Sequence, residues 1–226
     1  MKLEISIPES LNEIKLKDFQ KYQSIAKDNN EPNFLNRKLV EIFCGIKSRD
    51  INLIRKTDYD AILDTLAKVL DNSGKFTQRF ELNGLEFGFI PKLEDISAGE
   101  WIDLSEYLKD FKDYHKAMAV LYRPITFSKK DMYLIEDYEG AGKYEDVMKE
   151  MPLDIALGGQ VFFYNLGKDL LKAIPNFLER KMKKTMTTQQ KQILESVTDG
   201  IKAFTQSQEG IYSNLTRSQD NHLQSA

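Results

Sequence analysis

The stretch FTQRFEL-NG-LEFGFIP, Phe76 to Pro91, constrains this chain more than any other. Two segments of alternating apolar and polar residues flank Asn83-Gly84. That dipeptide suits a type I′ turn, whose two central residues both need positive φ. A two-residue loop fixes the register, setting Leu82 against Leu85 and Phe80 against Phe87. Phe80, Phe87 and Phe89 then share one face, and Arg79, Glu81 and Glu86 point the other way.

The pattern around this hairpin is mostly helical. Lys2 to Ile7 alternates Leu3, Ile5 and Ile7 with polar residues and stops at Pro8, which predicts a half-buried strand. Leu16, Phe19, Tyr22 or Gln23, and Ile25 or Ala26 then fall on one helical face, broken at Asp28-Asn29-Asn30. Pro32 is placed to open a second helix, which carries Phe34, Leu35, Leu39, Ile42 and Phe43 and stops at Gly45. A third, Thr57 to Leu70, has the stripe Tyr59, Ile62, Leu63, Leu66 and Val69 or Leu70, with Thr57 or Asp58 as the expected cap.

After the hairpin, Ser97 and Glu100 match a capping box. The helix they open is expected to turn Trp101, Leu104 and Leu108 inward. Another begins near Asp113, presents Tyr114, Ala117, Met118 and Leu121, and ends before Arg123-Pro124. Ile125–Phe127 and Met132–Tyr138 read as short strands around Ser128-Lys129-Lys130-Asp131. A short helix near Tyr144 to Met148 leads to Pro152. The following run, Met151 to Leu171, is the most apolar in the chain, but Asp154, Gln160, Asn165, Lys168 and Asp169 interrupt it. It falls short of the roughly 20 apolar residues that a bilayer crossing needs, so a buried core helix is expected.

Beyond Pro175 the composition shifts to Gln, Ser, Thr, Lys and Asn. Ile193, Leu194, Val197, Ile201 and Phe204 recur at helical spacing and form a narrow stripe on a polar rod. The last dozen residues have no period. The expected organisation is a globular body over 1–175, then a helical arm and flexible tail over 176–226. The fold class is α+β: a predominantly helical body with a β-hairpin and short antiparallel strands, plus a C-terminal amphipathic helical arm.

Reactive side chains are scarce: two histidines, His115 and His222, and one cysteine, Cys44, among 226 residues. Most catalysis and transition-metal binding draw on those residues. No catalytic, cofactor-binding or metal-ligating set is expected. Cys44 reads as a small buried hydrophobe, His115 as an exposed or edge residue, and His222 as part of the tail. The GAGK loop, Gly140 to Lys143, has Asp137 and Tyr144 where a phosphate loop needs Gly and Ser or Thr, so an exposed flexible loop is expected. The acids Glu136, Asp137, Glu139, Glu145, Asp146 and Glu150 lack calcium-loop spacing and read as a solvated surface. A single cysteine forms no disulfide framework, which points to a reducing birthplace. Residues 1–30 lack the pattern of a signal peptide. The net charge of −3 and pI near 5.6 argue against a dedicated nucleic-acid binder. The one dense basic run, Arg180 to Lys184, reads as a solvated helix face.

Three segments together resemble a known group: LNGLEFGFIPKLEDISAGEWIDLSEYL (82–108), HKAMAVLYRPIT (115–126) and MPLDIALGGQVFFYNLGKDLL (151–171). They look like small structural or assembly proteins of tailed bacteriophages, including crAss-like gut phages and related marine phages. The resemblance implies a non-enzymatic structural or connector protein of the virion, made in the host cytoplasm. Its partners would be other phage structural proteins and further copies of itself, with no membrane. The arm would supply the contact through Ile193, Val197, Ile201 and Phe204. Three other readings stand beside it: a tail-assembly chaperone absent from mature particles, a carboxylate-based enzyme, and a host regulatory domain.

Overall fold

A computed structural model describes residues 5–92, 95–130 and 132–162, with Asn165 and Gln206 individually. Its helices are α1 (Leu16–Asp28), α2 (Pro32–Phe43), α3 (Ser48–Ile51), α4 (Lys56–Leu70), α5 (Ala98–Tyr107), α6 (Tyr114–Leu121), α7 (Glu145–Met148) and α8 over residues 153–162. The strands β1 (Arg79–Leu82), β2 (Leu85–Phe89), β3 (Tyr122–Lys129) and β4 (Met132–Ile135) form one antiparallel sheet in the order β1-β2-β3-β4. The fold is α+β.

The hairpin forms as its residues dictate. Asn83 and Gly84 take φ of 52° and 78°, and Phe80 pairs with Phe87, Leu82 with Leu85. Phe80, Phe87 and Phe89 stack and edge against one another and Tyr122, and Phe76 and Phe162 close over Phe89. Each such aromatic pair adds about 0.5–1.5 kcal/mol to the burial itself.

The centre of the body is α6. Tyr114, Ala117, Met118, Ala119, Val120 and Leu121 are all at most 2 % exposed. A helix that is apolar nearly all round must be covered nearly all round. Here α5, α7 and α8 cover it, and the Tyr114 hydroxyl donates to the Ala156 carbonyl of α8 at 3.2 Å. The chain before α8 is clasped to the start of α1: Leu16 N–H donates to Met151 O (2.9 Å), Lys17 N–H to Lys149 O (3.0 Å) and Leu153 N–H to Ile14 O (2.9 Å). This buried α8 matches the expectation for the apolar run as far as residue 162. Among the described residues no helix is long and apolar enough to cross a membrane.

Several expectations need correcting. Of the expected strand Lys2–Ile7, residues 2–4 lie outside the described residues; among the described residues Ile5 to Pro8 pairs with no strand, and Ile5 and Ile7 pack against the core. The capping position before α4 is Arg55, which makes no side-chain cap; Thr57 and Asp58 already lie in the first turn. Trp101 is 56 % exposed because Glu100, one position earlier, takes the inward corner of α5 to meet Arg123. His115 is buried, because α6 is enclosed on the side where a one-faced helix would meet water. The Gly140–Lys143 loop is a tight 3-10 turn with Ala141 buried, where Lys143 holds Glu136 and Glu139 at 2.8 and 3.0 Å. Helix α6 runs into β3 without a loop, so that strand begins at Tyr122. Strand β4 ends at Ile135. Residues 176–226, the expected arm and tail, lie outside the described residues apart from Gln206.

Candidate interaction surface

One face of the sheet changes character along its length. At the base, Phe87 is 0 %, Phe89 4 % and Tyr122 0 % exposed. Towards the end that carries both turns, the same face bears Leu85 (48 %), Phe127 (53 %), Met132 (71 %) and Leu134 (60 %). The helical body covers the base and stops short of the turns.

Register puts these four side chains together. Phe127 pairs with Leu134, and Lys129 with Met132. The irregularity between Ile125 and Phe127 inserts one extra residue, Thr126, into β3. Such a bulge reverses which side the following residues face. Ile125 and Tyr133 both lie against Gly88, on the opposite face. Arg79 sits over the Tyr133 ring and donates to Ser128 Oγ at 2.8 Å, so Ser128 shares that face. Phe127, between Ile125 and Ser128, is thereby turned to the phenylalanine face. Without the bulge it would lie beside Arg79.

The two faces differ in chemistry. The far face is closed by the bidentate Arg79–Glu86 pair and by the Tyr133 hydroxyl donating to Phe89 O at 2.7 Å. The near face offers Leu85, Phe127, Met132 and Leu134, with the exposed Lys129 beside Met132 on the same face and Lys130 at its rim. Exposed apolar side chains gathered into one patch with a polar rim are a feature of interaction sites.

The edge of the sheet is open there too. Glu136 N–H donates inward to Pro124 O at 2.9 Å, and Leu134 O accepts from Thr126 Oγ1 at 3.4 Å. Alternation along a strand then points the backbone groups of Tyr133 and Ile135 outward. Among the described residues no strand lies beyond β4.

Reactive groups elsewhere are paired or quiet. Burial pushes the Cys44 thiol up to about 11, away from the reactive thiolate. Burial also lowers the basicity of His115, with Lys149 adding to the effect. The Gln20 amide nitrogen lies 3.2 Å from His115 Nδ1 and donates to Phe111 O (2.7 Å) and Lys112 O (2.9 Å). Burial acts to raise the carboxyl of Glu100, but bonds from Ser97 and Arg123 outweigh it and leave it below the ordinary range. Glu100 and Arg123 form a buried ion pair, with Arg123 also over the Tyr138 ring. Lys143 and Tyr144 hold Glu136 low.

The arrangement nearest to an acid–base pair is Asp18, raised by burial, with Glu150, lowered by hydrogen bonds from Lys15 and Lys17. Both Glu150 oxygens are engaged by those lysines, at the clasp that joins α1 to the segment before α8. Among the described residues no group of three His, Cys, Asp or Glu side chains is arranged to hold a metal ion.

The expected contact residues Ile193, Val197, Ile201 and Phe204 lie outside the described residues. Leu85, Phe127, Met132 and Leu134 were not singled out by periodicity, although a signal was present. Met-Tyr-Leu-Ile at 132–135 is apolar at every position. An antiparallel strand apolar on both faces needs cover on both. No family model, curated protein or solved structure matches this chain.

Proposed function

We propose that the protein is a non-enzymatic structural or connector component of a tailed-phage virion, made in the host cytoplasm, which works through protein–protein contacts. The overhanging apolar face of Leu85, Phe127, Met132 and Leu134 carries this reading, because it is a built contact surface on a well-packed body. The resemblance of segments 82–108, 115–126 and 151–171 to phage assembly proteins points the same way, and the pairing of Glu100, Glu136 and Glu150 with basic groups favours contact over turnover. The body, 1–175, supplies one surface, and the arm, 176–226, supplies a second through Ile193, Val197, Ile201 and Phe204. The partners are other phage structural proteins and further copies of this chain.

Mass spectrometry of purified particles tests the proposal. The expected result is this chain in fixed ratio to other virion proteins. Its presence in infected-cell extracts bound to tail proteins, with none in mature particles, would make it a tail-assembly chaperone instead. Turnover of a substrate by the purified chain would overturn the contact role itself.

A further inference from the structure

We infer that β4 pairs antiparallel with β4 of a second copy of this chain, around a two-fold axis through Tyr133. The inference rests on the multi-copy reading above and gives it a geometry. A twofold contact uses one patch twice, so the patch must complement itself. Three independent features of this edge satisfy that demand.

The first is backbone direction. Tyr133 turns its N–H and C=O outward, so two copies of Tyr133 exchange both bonds as a hydrogen-bonded pair. The second is side-chain parity. With the axis at Tyr133, Met132 of each copy faces Leu134 of the other on the exposed apolar face, and Phe127 extends the stripe outward on both sides. The third is charge. The same axis lays Lys130, in the turn of one copy, beside Glu136-Asp137 of the other, with Lys129 one strand further in. Lys129, Lys130 and Asp137 are exposed, with no ion pair among the described residues. Moving the axis to Ile135 would set Leu134 against Glu136 and lose both matches.

This short edge buries less than the roughly 800 Å² per partner of a standard stable interface. The association is therefore weak and depends on concentration, as suits a subunit that joins its neighbours only when they are gathered. Burial of Met132, Leu134 and Phe127 supplies the attraction, and the lysine–acid contacts fix the register.

Sedimentation velocity of the full chain over a wide concentration range tests this. The expected result is a monomer–dimer equilibrium that Leu134→Lys abolishes while circular dichroism stays unchanged. Lys130→Glu should weaken the dimer about tenfold, because the axis repeats the pair twice. Adding Asp137→Lys to Lys130→Glu should restore it. A second measurement uses Met132→Cys and Leu134→Cys chains in a Cys44→Ala background. Oxidising the mixture should cross-link the two different chains in preference to either chain with itself. A chain that stays monomeric throughout, or a dimer indifferent to Leu134→Lys, overturns the inference. If such a monomer is still found in purified particles, the β4 contact falls and the assembly role stands.

Discussion

The two ends of the phenylalanine face are built from the same residue types and come to opposite ends. At the base, Phe87 packs between Phe80 and Tyr144, Tyr122 against Phe80 and Phe89, and Phe76 and Phe162 cover Phe89, so that aromatic packing holds the sheet to the helices. At the turn end, Phe127, Met132 and Leu134 continue the same face into solvent. The lesson is that apolar alternation tells which side of a strand wants cover, and tertiary structure decides whether this chain supplies it. Where it does, the residues set stability; where it does not, they are available to a partner.

The difference can be broken by mutation. Phe87→Ala, in the fully buried half, should cost about 3–5 kcal/mol in denaturant unfolding, from lost transfer energy and the cavity left behind. Phe127→Ala, in the exposed half, should cost less than about 1 kcal/mol in the same experiment. Equal losses would mean that the overhang is covered within the monomer.

Arg123→Ala extends the comparison to the polar side of the sheet. It strands Glu100 in a buried position, at a cost of about 3–5 kcal/mol measured by the same unfolding curves. The half-exposed pair Arg79–Glu86 should yield under about 1 kcal/mol when Arg79 is replaced by Lys.

A smaller effect concerns His115 and pH. Its folded basicity lies below the ordinary 6.5, through burial and Lys149, with Lys116 acting in the same sense and Glu145 and Asp113 opposing. The neutral ring is the one that folds, so below that unfolded value the unfolded chain takes up the proton first. Stability is full above about pH 6.5 and falls as pH drops towards the lower folded value. Unfolding midpoints measured from about pH 7 down to about pH 5 should fall more steeply for the native chain than for His115→Gln. Identical slopes would remove His115 from the acid response.

The smallest effect on stability should accompany the largest effect on association. Ile201→Asp with Phe204→Asp should leave the melting temperature nearly unchanged and abolish assembly, read by thermal melting beside co-purification with the native partners. A large loss of stability would instead place the two residues in the main core.

Much of this was readable from local chemistry. Asn83-Gly84, the capping pair Ser97–Glu100 and the Pro32 and Gly45 boundaries are signals carried by a few adjacent residues, and each appears where expected. The misses share a cause, which is distance in sequence. Trp101 faces out because Glu100 meets Arg123, 23 residues away, and periodicity holds no record of that pairing. His115 is buried because segments around Gln20 and Lys149 close over α6, which a one-helix pattern cannot show. The overhang was hidden for a further reason. The bulge at Thr126 changes the face of Phe127, and no residue there announces a bulge in advance.

Hydrogen exchange at β4, compared between the isolated chain and the native assembly, decides whether the open strand edge is where this protein meets its neighbours. The amides of Tyr133 and Ile135 should exchange fast in the dilute chain and be strongly slowed in the assembly, while Phe87 is protected in both. Equally fast exchange of Tyr133 and Ile135 in both states would contradict that role for the edge.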